Sequence, residues 1–298
     1  MENLFIEGAQ GYKLSLALFP VEKPKAVLQI VHGMQEHKER YYAFGEFLAS
    51  HGYAVVVSDM RGHGVDAPEL GHIADKGGEN ILLDDQRAIY ECIKEKFGDA
   101  PVYLFGHSMG SIIARVLMQS DSKKYAKAIL SGYVSPNPAS PVAVFLGNIV
   151  RGCSGAKKSS KMLASLALGP YTKAVKERKT DLDWLSYNEE NVAKYIEDPY
   201  CGITFSNGSF SALFHLLNWM GKAKRYQDVH ADMPILLAGG EEDPCTGGEK
   251  GRANSKKVLE KAGFTDISVI TYPKMRHEIL NEKECAKVYQ DILDFMEK

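Results

Sequence analysis

Apolar positions along the chain alternate between two rhythms, one of short buried runs and one of helical spacing. Lys13 to Leu18 alternates polar and apolar residues, as an early antiparallel strand does. Ala26 to Val31 is a continuous apolar run broken only by Gln29, the signature of a strand covered on both faces. Tyr41 to Ser50 has helical spacing and stops before Gly52. Tyr53 to Ser58 is the most β-branched stretch of the chain and predicts a central strand. Ile81 to Phe97 places Leu82, Ile89, Cys92, Ile93 and Phe97 on one helical side. Val102 to Phe105 predicts the next strand. A helix follows through Ile112, Ile113, Val116 and Leu117, and then a strand at Ala126 to Leu130.

The rhythm breaks after Ser131. Between 134 and 227 no convincing strand appears, only helical stretches. Pro141 to Val150 has Ser140 placed to cap it, and Phe210 to Met220 turns Leu213, Phe214, Leu217 and Met220 to one side. Strands return at Met233 to Ala238 and Ile267 to Tyr272, and Ala286 to Met296 closes the chain as a helix. The pattern predicts an α/β fold, with a mostly parallel central sheet flanked by helices. Its first part spans 1–133, a helical lid is inserted at 134–227 before the strand carrying the acid loop, and 228–298 completes the core.

The strand-to-helix junction at 102–117 holds Gly106-His107-Ser108-Met109-Gly110. A Gly-x-Ser-x-Gly pentapeptide in that position predicts a nucleophile elbow, with Ser108 exposed on a sharp turn above a helix N-terminus. A serine hydroxyl needs a base, and the base needs an orienting acid. In this arrangement the order along the chain is serine, acid, histidine. The strand ending near Gly240 is followed by Glu241-Glu242-Asp243-Pro244, and the strand ending at Tyr272 by a loop that contains His277. His277 is the base, because the other late histidine, His230, precedes its strand. Asp243 is favoured as the acid because it lies furthest into its loop ahead of Pro244. Glu241 and Glu242 stay as alternatives. The oxyanion hole needs two backbone N–H donors, predicted at Met109 and, in the loop His32-Gly33-Met34-Gln35, at Met34.

Composition narrows the partners. Charge is nearly balanced, at −2 overall, which gives no reason to expect nucleic acid. The N-terminal residues lack a basic stretch followed by a long apolar core, and no apolar run approaches the length of a membrane span. The five cysteines are scattered without a Cys-x-x-Cys pair. A cytoplasmic, reduced protein is expected. His32, His37 and His63 have no metal-ligand spacing and read as hydrogen-bonding groups that stiffen two loops, as does His107. The chemistry requires neither a metal nor an organic cofactor. Phe145, Leu146, Met162, Leu163, Leu166, Phe210, Phe214, Trp219 and Met220 could line an acyl channel or pack the insertion onto the core. Arg151 to Lys179 carries eight basic residues against Glu177 alone, which reads as a solvated face or a contact with an anionic lipid surface. No sequence feature sets an oligomeric state.

His-Gly-x-x-Glu-His-x-x-Arg-Tyr at 32–41, Asp-x-Arg-Gly-His-Gly at 59–64 and Gly-His-Ser-x-Gly at 106–110 together resemble the monoacylglycerol lipase and lysophospholipase branch of the α/β-hydrolases. Glu-Asp-Pro at 242–244 and Arg-His-Glu-Ile-Leu-Asn-Glu at 276–282 are similar to its bacterial members, as are Asp183-Trp184-Leu185-Ser186 and Asp198-Pro199-Tyr200-Cys201-Gly202. The resemblance covers nearly the whole chain. It implies Ser108, Asp243 and His277 as a triad, with Met34 and Met109 at the oxyanion hole. Two positions depart from it: Gln35 stands where many members carry glycine, and Cys245 where a small aliphatic residue is usual. The expected activity is hydrolysis of single-chain lipid esters, monoacylglycerols or lysophospholipids. A broad carboxylesterase or serine-aminopeptidase-like hydrolase is the alternative, and a non-catalytic ligand-binding α/β-hydrolase comes third.

Overall fold

Parallel strands buried on both faces need apolar side chains pointing both ways, and the observed sheet uses the predicted runs in that manner. The computed structural model describes residues 1–298. Its strands are β1 (Glu2–Glu7), β2 (Lys13–Phe19), β3 (Val27–Val31), β4 (Ala54–Ser58), β5 (Val102–His107), β6 (Lys127–Ser131), β7 (Ile235–Gly240) and β8 (Ile267–Tyr272). They form one sheet in the order β1-β2-β4-β3-β5-β6-β7-β8. β1 and β2 pair antiparallel, β2 runs antiparallel to β4, and every pairing from β4 to β8 is parallel. The β-branched run at 54–58 is interior, between β2 and β3, while β3 and β5 form the middle pair.

Successive residues of each strand enter two separate cores. Val27, Val31 and Leu104 face one, with α2 (Gly78–Phe97) and α3 (Met109–Asp121) packed over them. Leu28, Ile30 and Phe105 face the other, beneath α1 (Tyr42–Ser50) and α9 (Cys285–Glu297). The remaining core helix, α8 (Gly248–Ala262), joins β7 to β8. Between β6 and β7 the chain forms no strand. It builds α4 (Ser140–Ser154), α5 (Lys161–Ala174), α6 (Glu189–Glu197) and α7 (Asn207–Met220). These cover the carboxyl ends of the parallel strands, where open α/β sheets bind ligands.

Two local expectations change, and one strand joins those the sequence predicts. β1 is a strand: Leu4 and Ile6 alternate toward neighbouring side chains while Phe5 faces out, an edge pattern too weakly apolar to announce itself. Ser140 does not cap α4 but lies inside its first turn, and Asn137 Oδ1 instead accepts the Ala139 N–H at 2.9 Å. α7 begins three residues ahead of Phe210 because Ser206 caps it, accepting the Ser209 N–H at 3.2 Å.

Candidate active site

The strand-helix junction after β5 has the strained geometry that the pentapeptide predicts. Ser108 sits at φ 52°, ψ −116°, between β5 and α3. A β-carbon on Gly106 would lie 2.4 Å from the Gly110 carbonyl oxygen, and one on Gly110 would lie 2.0 Å from that of Val31. Glycine at both positions is therefore a packing requirement. As the first residue of α3, Met109 has an N–H with no carbonyl four residues back in the helix to accept it.

The loops after β7 and β8 bring the other two residues together. His277 Nδ1 lies 3.0 Å from Asp243 Oδ2, and both side chains are buried. Asp243 is held in turn: its Oδ1 accepts the Cys245 N–H at 2.8 Å. Glu241 and Glu242, one and two residues earlier, are exposed. Burial alone would lower the His277 pKa, but the charge and hydrogen bond of Asp243 outweigh it, and Glu278 and Glu36 add to the rise. The net shift is upward from 6.5, which makes the imidazole a stronger base. Its Nε2 faces Cys245 Sγ at 4.0 Å, and Ser108 Oγ makes no hydrogen bond within 3.5 Å. Ser108 and His277 open onto the same cavity, with Met34 and Met109 also in its wall. Catalytic hydrogen bonds are often loose without substrate.

Residues 22–284 match the family described as serine aminopeptidase, S33. The chain belongs to that family. Among its relatives, this S33 chain is 25% identical to the monoacylglycerol lipase of Mycolicibacterium smegmatis over 283 residues, 93% of this chain and 90% of that protein. Human monoglyceride lipase is 29% identical over 228 residues, 75% of this chain and 67% of the human protein. A thermostable carboxyl esterase from Bacillus coagulans, solved with glycerol, superposes with a TM-score of 0.92 at 24% identity, covering 99% of this chain and 97% of that one. The α/β-hydrolase fold is shared.

The loop after β3 shows why several S33 motif residues recur together here. Glu36 Oε1 accepts the Gly33 N–H at 2.5 Å and the Tyr41 hydroxyl at 2.8 Å. The Met34 N–H between them is bonded to no protein acceptor. His63 Nε2 accepts the Gln35 N–H at 3.3 Å while its Nδ1 contacts the Arg61 carbonyl at 2.9 Å. His32 likewise spans the Gly33 carbonyl (2.7 Å) and the Met60 N–H (2.9 Å). With both ring nitrogens in use, each imidazole is neutral. Burial pushes His32 down to about 4, and burial with its neighbour His32 pushes His63 to about 3. His37 points elsewhere, to Asp198 Oδ2 at 2.8 Å. His107, lowered to about 3 by burial and then by His277, lies against that ring at a centroid distance of 4.8 Å. Gln35 adopts φ +62°, a conformation that glycine reaches without cost, which explains the usual glycine at this position.

Arg40, Glu278 and Glu282 lie within the sequence motifs, but sequence reasoning gives them no role. Arg40 Nη2 binds Glu278 Oε2 at 2.6 Å, and its Nε lies 3.6 Å from Glu36 Oε2. Asn191 of α6 donates to the same Glu278 oxygen at 2.5 Å. Tyr195, also on α6, stacks against the Arg40 guanidinium at 4.8 Å and donates to the Gln35 carbonyl at 2.7 Å. One buried cation thus links the loop after β3, the loop of His277 and a helix of the intervening segment. The i,i+4 spacing of Glu36 and Arg40 was the one local signal, but Glu278 is 238 residues from Arg40.

Proposed function

We propose that this protein hydrolyses neutral single-chain esters, monoacylglycerols foremost, through a Ser108–His277–Asp243 triad. Ser108 Oγ attacks the ester carbonyl as His277 Nε2 takes its proton, and Asp243 holds the imidazole and steadies its charged form. The tetrahedral oxygen receives the N–H groups of Met34 and Met109. Collapse expels the alcohol, protonated by His277. Water activated by the same imidazole then releases the fatty acid from Ser108. The observation that carries the reading is the 3.0 Å His277–Asp243 contact, from which the imidazole opens onto the cavity that Ser108 also lines.

The cavity wall supports a neutral head group. Ile112, Val134, Leu166, Leu213, Phe214 and Leu217 line it, and no lysine or arginine does. A phosphate would find no counter-charge. Its two carboxylates, Glu36 and Glu278, are already engaged by Arg40, Tyr41, Asn191 and the Gly33 N–H. A free α-amine would therefore find no open acid, which argues against aminopeptidase action. The names of the monoacylglycerol lipase relatives favour the same substrate class.

We read 134–227 as the lid. Away from the cavity it exposes Phe145, Ile149 and Met162. Lys157, Arg178 and Lys179 have carboxylate partners, while Lys158, Lys161, Lys173 and Lys176 have none within 4.0 Å. Exposed apolar residues and unpaired lysines on one segment fit an anionic lipid surface, from which the substrate would be drawn. No helix is long and apolar enough to cross a membrane.

The test is a turnover profile over monoacylglycerols, lysophosphatidylcholine and an aminoacyl anilide, with Ser108→Ala alongside. Monoacylglycerol should be hydrolysed best, and Ser108→Ala should reduce kcat by about 10⁴-fold or more and abolish fluorophosphonate labelling. Unchanged turnover by Ser108→Ala overturns the mechanism, and preference for the anilide or the phospholipid overturns the substrate class.

A further inference from the structure

The motif Arg276-His277-Glu278-Ile279-Leu280-Asn281-Glu282 contains two buried carboxylates, and they are satisfied differently. Glu278 has the Arg40 guanidinium. Glu282 is 2% exposed and has no cationic partner within 4.0 Å. Its oxygens instead accept four donors: the Arg276 N–H at 2.9 Å, the Ser186 hydroxyl at 2.7 Å, and the N–H groups of Tyr187 and Asn188 at 3.1 Å each. One donor belongs to the residue immediately before His277, and the other three belong to the lid. Charge-assisted bonds of this kind are about twice as strong as neutral ones.

The neighbouring bonds join the same two segments. The Glu278 N–H donates to the Leu185 carbonyl at 2.7 Å, Arg276 Nη1 to the Asp183 carbonyl at 2.6 Å, and Asn188 Nδ2 to the Asn281 carbonyl at 3.0 Å. His277 is therefore gripped through the peptide groups on both of its sides. Above it lies Trp184, with ring centroids 5.0 Å apart.

We propose that Glu282 is a positioning residue for His277, locking the lid segment 183–188 and the backbone at Arg276 into one unit that sets where the imidazole meets Ser108. The proposal rests on reading Ser108, His277 and Asp243 as the triad. Glu282→Gln keeps the side chain's size but turns an amide N–H toward groups that themselves donate. Measured on p-nitrophenyl butyrate well below the unfolding transition, Glu282→Gln should lower kcat by up to about a hundredfold while leaving KM nearly unchanged, the signature of a displaced catalytic group. The downfield Nδ1 proton resonance of His277 should shift or broaden in the folded variant. A variant with lowered Tm but unaltered kcat and imidazole resonance overturns the proposal, since a purely structural role predicts that result.

Should Glu282→Gln fail to fold, Ser186→Ala removes one donor to Glu282 together with one acceptor of the Asn188 N–H, which keeps its bond to Glu282. It should lower kcat roughly two- to tenfold at constant KM, and an unchanged kcat again overturns the proposal. The triad is judged separately. If the unaltered enzyme does not label with fluorophosphonate, the triad reading fails and takes the proposal with it. If it labels and Ser108→Ala does not, while Glu282→Gln retains full kcat, the role of Glu282 alone is wrong.

Discussion

Two parts of the helical segment between β6 and β7 are built in opposite ways. From Asp183 to Asn191, a run of polar side chains and N–H groups reaches the core: Ser186, Tyr187, Asn188 and Asn191 all bond to the loop of His277, and the Tyr187 hydroxyl donates to Glu242. α5, from Lys161 to Ala174, shows the reverse. Its cap and one side-chain hydrogen bond stay within 160–181, through Ser160 to the Leu163 N–H and Thr172 to the Asp181 carbonyl. Leu163 alone is fully buried, Met162 and Leu166 are exposed, and Pro170 removes a bond from the helix interior. One part is welded to the catalytic frame by many hydrogen bonds, and the other rests on it through apolar contacts and through Tyr171, which lies against Trp184 and beside Cys245. On the reading of this segment as a lid, the difference teaches that its two parts divide the work: substrate access falls to the helix α5, and the geometry of the proposed triad to the strap at 183–188.

The sharpest way to break that contrast is to remove the cation of the welded side. Arg40→Met leaves Glu36 and Glu278 buried without a counter-charge and should cost about 3–5 kcal/mol, read as a lowered urea midpoint. A midpoint close to that of the unaltered chain would mean that the ion pair is not part of the frame. Next in size is the response to pH. His277 must be neutral to accept the serine proton, so kcat/KM should fall as pH drops through a value above 6.5. The same raised pKa stabilises the protonated fold: that stability is fully present below pH 6.5 and is lost as pH rises through the folded value. Each pH unit between the folded and unfolded values is worth about 1.4 kcal/mol. Activity and unfolding midpoint measured together should therefore move in opposite directions across one window. An acid limb well below pH 6.5 would contradict the assignment. The smallest effect belongs to α5. Met162→Ser, outside the cavity wall, should leave turnover of a short soluble ester within about twofold and weaken binding to vesicles containing anionic lipid. Equal losses on both assays would erase the distinction between the two parts.

The residues of the proposed triad were legible in the sequence because each is announced by its own surroundings. Ser108 lies between two glycines at a strand-to-helix change, and Asp243 and His277 follow strands in a fixed chain order. Burial and the contact with His277 favour Asp243 over Glu241 and Glu242 as the proposed acid, since the two glutamates face solvent. The parallel strands were readable for the same local reason, a run of apolar side chains. What stayed hidden is non-local. Nothing near Glu282 shows that its partners lie at 186–188, and nothing near Asn191 points to Glu278, because pairings across about ninety residues are decided by how the sheet places the loops. The edge strand β1 escaped because half-exposed positions weaken its alternation. Gln35 looked like an anomaly until its positive φ gave the reason.

The strap at 183–188 also bears on when the enzyme comes alive during synthesis. The elbow serine and its helix are complete once the first half of the polypeptide has emerged, while the imidazole waits for the final strand and for the strap to clasp it. On the proposed triad, a chain made only that far carries an alcohol without its base. Reactivity then waits for the residues that follow β8.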